Sequence, residues 1–142
     1  MECTVRWLNE GMSFVATTGS GHLVTMDGAP EAGGSNLAPR PMELLLAGTG
    51  GCSAFDVVLI LRRGRHDVQD CVVRLEAARA EKEPKVFERI HFTFTVTGRK
   101  LKREAVERAV SLSKEKYCSA SIMLAKTAEI THSVEVVDLD DL

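Results

Sequence analysis

The sequence predicts an α+β fold with antiparallel sheets, and three features carry that expectation. Short β-favouring runs fill the first 28 residues; a long apolar run follows a loop rich in proline and glycine; an alternating stretch then precedes two more helical segments. Strands that come in runs, separated by helices that do not alternate with them one for one, argue for α+β architecture.

The elements follow in order. Residues 4–8, 13–17 and 22–26 read as a meander of three strands, parted by Asn9, Glu10, Gly11 and by Gly19, Ser20, Gly21. Residues 28–41 hold three prolines and three glycines and read as a loop. That loop is too short for a linker, so one domain is expected to span residues 1–142. Pro41 suits a first helical position, where its missing N–H is no loss. The helix it opens should end near Gly64 and, being apolar on nearly every face, should be buried all round. Residues 69–80 and 87–97 read as strands joined by a turn at 81–85. In the second, Ile90, Phe92, Phe94 and Val96 alternate with His91, Thr93 and Thr95, the period of a half-buried strand. An amphipathic helix over 102–117, a further helix over 118–128, a strand over 130–137 and an acidic tail complete the chain.

Composition excludes several classes of function. With 18 basic and 20 acidic residues the net charge is -2, which gives no electrostatic reason to expect nucleic acid or an acidic membrane surface as partner. The N-terminus lacks the basic start and apolar stretch of a signal peptide. Residues 44–61 are the most apolar, but Asp56 lies inside and Gly48, Gly50 and Gly51 interrupt them, so a core helix is expected rather than a membrane span. A cytoplasmic protein is the expectation.

Cys3, Cys52, Cys71 and Cys118 are widely scattered, without the C-x-x-C spacing of a zinc site or a thioredoxin motif. The four histidines are spread singly, without metal-ligating spacing. Cys52 lies within the apolar helix, where a free cysteine often serves as a small buried hydrophobe. The three nearby glycines each cost a helix about 1 kcal/mol relative to alanine, a cost that close approach of another backbone or of a ligand to the thiol would offset. Cys118 opens a segment of small residues, Ser119, Ala120 and Ser121. If a helix starts there, its free N–H groups favour a thiolate; otherwise Cys118 is a buried cap.

The stretch Asn36-Leu37-Ala38-Pro39-Arg40-Pro41-Met42-Glu43-Leu44, followed by Ala47-Gly48 and Gly50-Gly51-Cys52, resembles the OsmC/Ohr family of osmotically inducible and organic hydroperoxide resistance proteins. A proline, Glu-Leu, an Ala/Gly-rich stretch and a cysteine eleven residues after the proline carry the match, with Cys118 where the family places its second cysteine. The resemblance implies an OsmC-like fold, with antiparallel sheets wrapped around a long buried helix in an intertwined homodimer. It also implies reduction of organic hydroperoxide or hydrogen peroxide, without metal, flavin or haem. Cys52 would attack as a thiolate and become a sulfenic acid; Cys118 would condense with it, and an external thiol reductant would restore the pair. An arginine held by a glutamate activates the thiol in the family. Arg40 and Glu43 are the candidates here, although Met42 stands directly after Pro41 where family members place the glutamate. The Pro-Met-Glu-Leu and Gly-Gly-Cys details look closer to the YhfA-like branch. Two rivals remain. Gly50 to Ala54 would be a nucleophile elbow of an acyl hydrolase if a strand preceded Cys52. Alternatively the protein binds a small apolar ligand, or senses redox state, without catalysis.

Overall fold

The β-favouring residues at the start of the chain pair as a meander. Strands β1 (Cys3–Trp7), β2 (Phe14–Thr18) and β3 (Leu23–Met26) form an antiparallel sheet in that order, with Val5 opposite Ala16 and Ala16 opposite Val24. The computed structural model describes every residue, Met1–Leu142, in two compact units, Met1–Ala47 and Gly48–Leu142. In the first unit the loop after β3 is organised by Asp27. Its buried carboxylate accepts the backbone N–H groups of Gly28 (2.8 Å), Leu37 (3.1 Å) and Ser35 (3.2 Å). The Leu37 bond does most to hold the Asp27 carboxyl below its ordinary value, against the opposing effect of burial.

In the second unit, β4 (Asp67–Arg79) and β5 (Phe87–Arg99) form a long antiparallel hairpin. The strand β6 (Glu129–Asp138) lies on the other side of β5, with Ile90 beside Ile130 and Val96 beside Val136. The α+β content and the two sheets are as expected, but β6 runs parallel to β5. A parallel neighbour requires a crossover of a dozen or more residues. Here the crossover consists of α2 (Arg103–Leu112), a π-helical turn (Ser113–Tyr117) and α3 (Ser119–Leu124). The helix expected over 102–117 therefore ends five residues early. The Cys118 N–H reaches back to the Ser113 carbonyl at 2.7 Å, a wider turn than the α-helix makes.

The alternation read in β5 sets the core of this unit. Ile90, Phe92, Phe94 and Val96 are buried, as are Val106, Ala109 and Val110 of α2. The Phe92 and Phe94 rings stack with centroids 6.0 Å apart. The helix α1 (Pro41–Arg63) is continuous through Cys52. Its buried residues are Thr49, Gly50, Ser53, Val57 and Leu61, the spacing of a single stripe. Burial all round is not found: Leu45 and Phe55 are exposed. By length and hydropathy α1 could cross a membrane, yet its buried stripe is that of a core helix.

Candidate functional site

Cys52 and Cys118 are 66 residues apart in sequence, and the second unit brings them together. Their sulfurs and an Asp56 carboxylate oxygen all lie within 4.8 Å of one another. Each residue is placed by a local device. Cys52 and Asp56 stand four residues apart on α1, so they share a face. Cys118 caps α3 in an extended conformation, and its sulfur accepts the Ser121 N–H at 3.4 Å. The π-helical turn holds buried Ser113, whose hydroxyl donates to Asp56 Oδ2 at 2.9 Å. Beside Cys52, the buried Ser53 hydroxyl donates to Cys118 Sγ at 3.2 Å. Gly50 allows α1 to lie close to β4: a Cβ there would sit 2.6 Å from Leu75 Cδ1. Gly48 and Gly51 face open space.

The surroundings push the two thiols apart: upward at Cys52, which the resemblance makes the attacking thiolate, and downward at Cys118, where a helix start was expected to favour one. Burial raises the Cys52 thiol, and the neighbouring Cys118 and Asp56 raise it further, against a bond from the Ala120 N–H. Burial also pushes Cys118 upward, but the Ser121 and Ser53 hydroxyls, the Ser121 N–H and the Cys52 thiol together outweigh it. The net effect at Cys118 is downward. The Ser121 hydroxyl itself donates to the Cys118 carbonyl at 3.2 Å, so Ser53 is the hydroxyl committed to the sulfur. Fully buried Cys118 is therefore the sulfur whose surroundings favour a thiolate, and half-buried Cys52 is the one whose surroundings favour the thiol.

Arg40 and Glu43 lie in the first unit, and the bonds they make there are local. Glu43 Oε1 accepts the Arg40 N–H at 2.9 Å, half of a capping box closing the first turn of α1. The Arg40 guanidinium bonds to Asn36 Oδ1. Of the remaining cysteines, Cys3 is exposed and Cys71 lies in β4. The elbow expected of an acyl hydrolase is absent, because Cys52 lies inside a helix and not at a strand-to-helix turn.

Several site residues escaped the sequence reading. Asp56 gave a signal, a lone charge in an apolar run four residues after Cys52. Ser53, Ser113 and Ser121 gave none, since serine is common and their roles depend on tertiary contact. His132 is also new. Its buried Nδ1 lacks a hydrogen-bond partner and lines, with Ser53, Ser113 and Ser121, a cavity of about 10 Å³. Burial, then Lys114 and His91, lower its pKa against an opposing Glu107. A space of that size is no larger than one water requires.

The profile of the family described as OsmC-like protein matches residues 33–133. The chain belongs to the OsmC-like protein family. It is 51% identical over 137 residues to Protein YhfA of Escherichia coli K12, covering 96% of this chain and 98% of that one. Among solved structures, an OsmC-like protein from Mycoplasma pneumoniae superposes with a TM-score of 0.80 at 16% identity, covering 96% of each chain. An organic hydroperoxide resistance protein OsmC from Legionella pneumophila superposes with a TM-score of 0.70 at 18% identity, covering 95% of this chain and 96% of that one. The OsmC-like fold is thus shared along nearly the whole chain.

Proposed function

We propose that this protein is a cytoplasmic thiol-dependent peroxidase that reduces organic hydroperoxides or hydrogen peroxide through Cys52 and Cys118. The observation that carries this reading is the pair itself: two free sulfurs within 4.8 Å, one favoured as thiolate and the other half-buried. A disulfide needs the sulfurs about 2.05 Å apart, so the two must move together for it to form.

The ionisation order assigns a task to each sulfur. Cys118 acts as resident base and takes the Cys52 proton. The Cys52 thiolate attacks the terminal peroxide oxygen, the O–O bond breaks, and the alcohol leaves with the proton returned from Cys118. Cys52 is then a sulfenic acid. The Cys118 thiolate attacks its sulfur, expels hydroxide and closes the disulfide. Two electrons pass from the sulfurs to the peroxide, and an external thiol returns them by exchange. Ser53 and the Ser121 N–H steady the thiolate at the start and end of this cycle. Arg40 takes the role of activating cation that the family resemblance gives it, and Glu43 fixes the turn of α1 beside it.

The protein works in this reading as an intertwined homodimer. Support comes from apolar surface that one chain leaves uncovered. Phe55 is 67% exposed, and with Gly51, Val58 and Leu59 it lines an open groove along α1.

The test is consumption of cumene hydroperoxide with a dithiol as reductant. Native protein should turn over, Cys52→Ser and Cys118→Ser should not, and Arg40→Met should be slowed. Equal rates for native protein and Cys52→Ser would refute the assignment.

A further inference from the structure

Cys52, Asp56 and Cys118 have a second chemical capacity that peroxide reduction does not use. Their ligating atoms lie within 4.8 Å of one another. In a tetrahedral zinc site with Zn–S bonds near 2.3 Å, two sulfurs stand roughly 3.8 Å apart. Rotations of about 1 Å at the side-chain ends would bring the three atoms to that spacing around one ion. Cys52 and Asp56 occupy positions i and i+4 of α1, an arrangement that lets two side chains of one helix share a metal. Cys118 supplies the third ligand from the head of α3.

The surroundings are those of a ligand set already held in place. Asp56 Oδ2 accepts from the Ser113 hydroxyl, and Cys118 Sγ accepts from the Ser53 hydroxyl and the Ser121 N–H. Such outer hydrogen bonds orient first ligands and tune metal affinity. Two thiolates and one carboxylate favour a thiophilic ion over magnesium or calcium. Cys118 is buried, while Cys52 and Asp56 are half-buried, so the ion enters from their side.

We propose that in the reduced protein Cys52, Asp56 and Cys118 bind a thiophilic divalent cation, zinc being the best chemical fit, and that oxidation of the two sulfurs releases it. Binding displaces the remaining thiol protons. Three protein ligands leave a fourth position for water. On oxidation the two bound thiolates, one hydroperoxide and two protons give a disulfide, an alcohol, a water and the free ion. The electrons come from the sulfurs, and the disulfide no longer offers thiolate ligands.

The full chain, reduced and freed of metal, is titrated with Co2+ and followed by thiolate-to-cobalt charge-transfer absorption in the near ultraviolet. One Co2+ per chain should bind and Zn2+ should displace it. The band should vanish in Cys52→Ser and Cys118→Ser. Asp56→Asn, nearly the same shape as the native residue, should weaken binding about tenfold or more with an unchanged circular dichroism spectrum. Treating the zinc-loaded native chain with cumene hydroperoxide should release the metal. Absence of the band in the native chain, its survival in Cys52→Ser, or native affinity in Asp56→Asn overturns the proposal. The site does not depend on the peroxidase reading. Metal binding without peroxide turnover would leave it standing, and turnover without metal binding would remove it alone.

Discussion

At Cys118, burial and hydrogen bonding act on the same sulfur in opposite directions, and the Ser53 hydroxyl is the partner that can be removed with least disturbance. A hydrogen bond to a charged group contributes about 1.5–3 kcal/mol, and one pKa unit corresponds to about 1.4 kcal/mol. Ser53→Ala should therefore raise the Cys118 pKa by about one unit or more. Because the folded pKa is depressed, the thiolate appears as pH rises through it, so oxidation by peroxide should accelerate with pH and then level. In Ser53→Ala the same rise should come at higher pH, with native rates recovered above it. Thiolate ultraviolet absorbance against pH, alongside the oxidation rate, checks this. An unshifted profile would remove Ser53 from the account.

At the scale of elements, the β4–β5 hairpin is held in register near its open end by Gly98. A Cβ on Gly98 would lie 2.1 Å from the Asp67 carbonyl oxygen and 2.5 Å from Leu101 Cδ1. A backbone oxygen cannot turn aside as a side chain can, so Gly98→Ala should destabilise by about 1–3 kcal/mol, read as a lower urea midpoint. Most of the elements were legible beforehand. The alternation of Ile90, Phe92, Phe94 and Val96 specified β5 and its buried face, and Pro41 marked the first turn of α1. The parallel pairing of β6 was not legible, since alternation sets which face is buried and says nothing of direction. Nor was the π-helical turn, because SKEKY carries no residue that breaks a helix. Cys52 and Cys118 were readable through motif and resemblance. The helix start that favours a thiolate at Cys118 was readable too, whereas the Ser53 bond to that sulfur and the burial and Asp56 charge that raise Cys52 were not, because only tertiary packing brings them near.

At the scale of the whole molecule, exposed apolar residues on α1 call for a cover that one chain lacks. The proposed homodimer accounts for Phe55, and for Gly48 and Gly51 with nothing near their missing Cβ atoms. Phe55→Glu should place a charge in that interface and halve the mass measured by sedimentation equilibrium. A native chain that sediments as a monomer would contradict the assembly. Helix α1 was expected to be buried on every side; the single chain buries one stripe, and a second copy would supply the rest.

The central claim is that Cys52 and Cys118 work as one redox unit. Its most direct measurement is peptide mapping by mass spectrometry after stoichiometric alkyl hydroperoxide under non-reducing conditions. The account predicts a single intramolecular bridge between Cys52 and Cys118, with a stable sulfenic acid on Cys52 when Cys118 is replaced by serine. Oxidation spread over Cys3 and Cys71 while the peptides of Cys52 and Cys118 remain reduced would contradict it.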